Sequence, residues 1–72
     1  MTTIEMFKQL RINITSMCEY VKINQNTMSS KIEHWYDLTE REMIKLREYL
    51  DMKIRAMIKI MKKIDKVLDH NQ

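Results

Sequence analysis

Seventy-two residues with one cysteine, Cys18, and neither Gly nor Pro exclude an internally disulfide-stapled module and a glycine-built phosphate loop. Thirteen Lys and Arg against ten Asp and Glu leave a formal charge of +3, too modest by itself to define a partner. A chain this short buries only about 60% of its unfolded surface, so a lone monomer is marginal and a second subunit is the staple that remains.

Gly, Ala and Pro have GC-rich codons, and the chain has a single Ala, Ala56, beside eight Met. That bias points to an AT-rich genome, such as that of a phage, a virus, a mobile element or a low-GC bacterium. The opening MTTIEMFKQL carries an acid and no long apolar run, so it does not read as a secretion signal. No stretch approaches the roughly 18 apolar residues of a membrane span. The expected location is the cytoplasm, with Cys18 a buried, reduced thiol.

Helical spacing begins at once. Phe7, Ile14, Val21, Met28 and Trp35 lie seven apart and are all apolar. Leu10, Met17 and Leu38 each follow such a position by three, while Asn24 and Lys31 interrupt the stripe. This pattern predicts a helix over about 3–35. The phase then slips, because Met43 comes eight residues after Trp35. Thr39 and Glu42 fall at the slip with the spacing of a capping box, and Asp37 suits a turn. A turn at about 36–38 is expected, then a second helix over about 39–69. The second helix repeats Met43, Leu50, Met57 and Ile64, with Leu46, Lys53, Ile60 and Val67 three residues after each. Two other organisations share the pattern. Asn24 to Lys31 is poor helix material and Ser30 with Glu33 has capping-box spacing, so the break could fall there. One uninterrupted rod with a skipped residue is the third.

The fold class is therefore all-α: a single domain over 1–72, an antiparallel helical hairpin that self-associates into a coiled-coil-like bundle. Ile54, Ile58, Met61 and Leu68 widen the second stripe beyond a two-stranded seam, which calls for two neighbours. Phe7, Ile14, Val21, Trp35, Met43, Leu50, Met57 and Ile64 form the expected oligomer core. Residues 37–51 carry three bases and five acids, and 52–68 six bases and one acid. This split favours antiparallel pairing of the second helices.

The same split defines the candidate binding surface. Arg55, Lys59, Lys62, Lys63 and Lys66 fall within about 100° on a helical wheel, opposite the apolar side. Such a stripe is equally the wet face of a packed helix, with cations at the end that complements the macrodipole. As a binding face it suits an acidic protein surface, or nucleic-acid phosphate read without sequence preference. One Arg among five and no aromatic supply base reading poorly. A membrane surface is poorly served too, since Tyr49 is the helix's sole aromatic. The Met content fills a core or a repacking surface.

His34 and His70 have no ligand set around them, and no metal or other cofactor is expected. No Ser/His/Asp or Gly-rich constellation is present, so an enzyme is not expected. The expected function is that of a non-enzymatic adaptor or inhibitor, self-associating and binding another protein. A sequence-tolerant nucleic-acid binder and a structural coiled coil are the alternatives.

Overall fold

The computed structural model describes residues 2–70, the side chain of Tyr36 excepted. Every regular element among them is helical, with no strand. Four α-helices run in chain order: α1 Thr3–Gln9, α2 Ile14–Val21, α3 Gln25–Lys31 and α4 Glu40–His70, with a 3₁₀ turn at Trp35–Asp37 before α4.

The helix expected over 3–35 is three helices instead, so the two-helix hairpin gives way to a cluster of short helices on the base of one long one. Each break has a local cause. Arg11 and Lys22 adopt left-handed backbone at φ 57° and 63°. After α1 the Ile12 N–H reaches the Phe7 carbonyl and the Arg11 N–H the Lys8 carbonyl, both at 3.0 Å. That pair of bonds is the Schellman stop, usually built on Gly. After α2 the Ile23 N–H returns to the Cys18 carbonyl at 3.1 Å in the same way. Both turns form without Gly: two charged residues take the strained position, at a cost of about 1–2 kcal/mol each.

The helix starts are capped by side chains. The Glu5 N–H donates to the Thr2 hydroxyl, and the Thr2 N–H to the Glu5 carboxylate. The Ser16 N–H donates to Asn13 Oδ1 and the Asn26 N–H to Asn24 Oδ1. At α4 both bonds of the expected Thr39/Glu42 box close, at 2.9 and 3.1 Å. The Ser30/Glu33 box does not form. The Ser30 hydroxyl donates to the Thr27 carbonyl inside α3. Glu33 reaches across to the first turn of α1, accepting from the N–H groups of Thr3 at 2.6 Å and Ile4 at 3.3 Å and from the Thr3 hydroxyl. The start of the chain is thereby pinned to the end of α3.

One core closes this head. Phe7, Met17, Cys18, Val21, Met28, Ile32 and Leu38 meet Leu46 and Tyr49 from the first turns of α4. Tyr20 and Tyr49 stack at 5.7 Å with the rings tilted, and the Tyr20 hydroxyl donates to Glu48, tying α2 to α4. Beyond Leu50 the core ends. Every residue from Asp51 to His70 is exposed. The molecule extends 51 × 24 × 19 Å. Its radius of gyration is 15.6 Å, whereas a compact domain of this length would have about 11 Å. No helix among the described residues is long and apolar enough to cross a membrane.

Candidate functional site

Two surfaces stand out, one on the head and one on the projecting half of α4. The first is α3 and the turn that carries it. Three residues, Lys22 to Asn24, separate α2 from α3. Left-handed Lys22 reverses the chain, and extended Asn24 caps the next helix. Both helices seat on the core by apolar residues: Met17, Cys18 and Val21 from α2, and Met28 from α3, with Ile32 just beyond it. Burial of Met28 and Ile32 fixes which side of α3 faces out. Asn26 and Ser30 lie on that side with Ser29 at its edge, and Gln25, three residues before Met28, is exposed at the start of the helix. The segment from Lys22 to Lys31 contains two Lys and no acid. Glu33, just past α3, is occupied by the α1 amides. The exposed side of α3 thus offers amides, hydroxyls and positive charge.

The second surface is the free half of α4. Ile54, Met57, Ile58, Ile60, Met61, Ile64, Val67 and Leu68 are each 44–60% exposed and occupy one side of the helix. Monomers rarely leave apolar patches larger than about 300–600 Å² open. The stripe continues onto the head as a groove lined by Trp35, Met43, Leu46, Arg47 and Leu50. Trp35 there is 48% exposed.

The candidate basic stripe, Arg55, Lys59, Lys62, Lys63 and Lys66, lies wholly on this projecting half, every member exposed. Arg55 is engaged by Asp51 one turn earlier, at 2.9 Å. The residues expected to form an oligomer core divide. Phe7 and Val21 are buried within one chain and leave nothing for a second, because the short helices fold back on themselves. Ile14 and Leu50 are partly buried against the same core. Trp35, Met43, Met57 and Ile64 are exposed. Cys18 sits in the core, where burial pushes its thiol pKa up and keeps it protonated.

The chain matches no protein family, no curated protein and no solved structure. Among the described residues, no group of three or more His, Cys, Asp or Glu is placed to hold a metal ion. His34 and His70 lie far apart in the fold, one before the 3₁₀ turn and the other in the last residue of α4.

The α3 surface was missed in the sequence because its polar run reads as weak helix. A usable signal was present. Asn13 and Asn24 both stand one residue before a short amphipathic segment, where a side-chain cap belongs.

Proposed function

We propose that this chain binds double-stranded DNA, with α2, its three-residue turn and α3 acting as a helix-turn-helix unit and α3 lying in the major groove. The observation that carries the reading is the exposed surface of α3: Asn26 and Ser30 opposite Met28 and Ile32, with Ser29 and Gln25 beside them, flanked by Lys22 and Lys31 and with no acid between those two Lys in the chain. Asn and Gln each present a donor and an acceptor on one planar group, which matches the adenine edge in the major groove. Ser and Lys suit the flanking phosphates. A helix seated by Met28 and Ile32 holds those side chains in a fixed register. The basic stripe of α4 then adds sequence-independent attraction at most. The test is enrichment from a random duplex library followed by salt titration of the enriched duplex. A preferred sequence should emerge, and its affinity should fall as salt rises, since phosphate contacts release counterions. A library that stays random after repeated rounds would refute the proposal.

A second reading is favoured by the exposed stripe of α4. In it the chain works by binding another protein, as an adaptor or inhibitor of phage or viral origin, with the basic stripe against an acidic surface. Self-association into a coiled-coil-like bundle is the simplest cover for that stripe, and it is compatible with the first reading, since many such DNA readers bind as dimers. Both readings are of a non-enzymatic protein working in the cytoplasm. Capture of a host protein that survives in high salt, together with no DNA preference, would support the second over the first.

A further inference from the structure

We infer that α4 pairs antiparallel with α4 of a second copy, whose C-terminal half fills the groove beside Trp35. The inference deepens the self-association reading and rests on it; it does not depend on DNA binding.

The seam comes first. Leu50, Ile54, Met57, Met61, Ile64 and Leu68 are spaced by four and three in alternation, with no polar interruption. Lys53, which breaks the seam drawn through Leu46 and Ile60, falls on its edge in this register. Leu46 and Tyr49, which hold the head, lie on that same edge. The seam is therefore free of the head beyond Leu50, which itself packs partly against the core.

Orientation follows from charge. Stepping back seven from Ile54 puts Arg47 on the seam, inside the groove. A parallel, in-register partner would set Arg47 against its own copy. An antiparallel partner centred between Arg55 and Ala56 sets Arg47 against the second copy's Ile64, with the second copy's Asp65 beside it. Among the described residues neither Arg47 nor Asp65 has an ion pair within its own chain. The twofold axis makes this pairing twice. Met43, 38% exposed in the groove, meets the second copy's Leu68. Leu50 meets the second copy's Met61, and the two Ile54–Met57 layers flank the axis. In this register residues 43–51 of one copy lie along 60–68 of the other, and 52–59 faces its own copy across the axis.

One geometric consequence links this to α3. Like edges meet in an antiparallel pair, so both heads rise on the same side. Leu46 of one copy aligns with residue 65 of the other, an offset of 19 residues, or roughly 29 Å at the helical rise. That is of the order of the roughly 34 Å between half-sites one DNA turn apart.

The experiment is disulfide crosslinking in a Cys18→Ala background, with light scattering on the unmodified chain. Light scattering should report a dimer or a multiple of it. Met43→Cys together with Leu68→Cys should crosslink between chains, while Met43→Cys alone should not. The two positions are 25 residues apart on one helix, about 38 Å at the helical rise, so no bond can close within a chain. Complete crosslinking of Met43→Cys alone would show a parallel pair and overturn the seat while leaving self-association standing. A helical monomer, whether free or held on anionic phosphatidylserine vesicles, would overturn both. A charge swap supplies a check with Cys18 intact. Arg47→Asp and Asp65→Arg should each raise the dimer dissociation constant several-fold, and the double variant should restore it. Additive losses in the double variant would also overturn the seat.

Discussion

Arg11 and Lys22 hold the head together by occupying backbone that their side chains disfavour. Relieving that strain is a direct measurement. Lys22→Gly should be neutral to stabilising by up to about 1 kcal/mol, strain relief offset in part by the freer unfolded chain. Lys22→Val should destabilise by more than that, and urea melts read both. Glu42 gives a second prediction. The Thr39 backbone N–H that it accepts holds its carboxyl below the usual carboxylate range. A depressed folded pKa contributes stability above the unfolded value and loses it as pH falls through the folded one. The stability gap between the native chain and Glu42→Gln should therefore be widest near neutrality and close in acid. A gap unchanged by pH would show that the charge does no work in the cap. The Thr39/Glu42 box was legible in the sequence because both bonds are local. The turns at Arg11 and Lys22 were not, because left-handed backbone at a charged residue has no sequence signature.

At the level of elements, heptad spacing found core residues but not their arrangement. Phe7, Met17, Val21, Met28 and Leu38 are buried as their spacing implies. Leu10 and Trp35, which continue the same stripe, are 64% and 48% exposed. A seven-residue repeat is satisfied equally by one long helix and by short helices that reset their phase at each turn. The turns at Arg11 and Lys22 break the run locally, and non-local contacts such as Glu33 on the amides of α1 tie the short helices together; spacing reveals neither. The long helix was legible from 39 onward, since its cap and its stripe agree. The two kinds of apolar residue should respond differently to truncation. Met28→Ala should cost about 2–5 kcal/mol at any protein concentration, because it empties a closed core. Met57→Ala should hardly change a dilute sample but should lower the melting temperature of a concentrated one, where the stripe is covered. Thermal melts over a hundred-fold concentration range separate the two.

For the whole molecule, a small head carries a projecting helix that the head cannot cover, and function is read from what each leaves exposed. The basic stripe was legible in the sequence as a stripe, and it lies where the head offers it no contact. The α3 surface was not legible, because amides and hydroxyls gain meaning only once Met28 and Ile32 turn them outward. Changing Arg55, Lys59, Lys62, Lys63 and Lys66 together to Gln should leave thermal stability nearly unchanged, since exposed ion pairs contribute about 0–1 kcal/mol. That variant, set beside Asn26→Ala, gives the most direct test of α3 as the reading helix. The measurement is the affinity of each for the enriched duplex and for a scrambled one. Asn26→Ala should weaken the enriched duplex by about 5- to 100-fold, as loss of a paired base contact does, and leave the scrambled one nearly unchanged. The stripe variant should weaken both alike. Equal binding of the enriched duplex by Asn26→Ala and the native chain, with discrimination lost only in the stripe variant, would contradict the assignment.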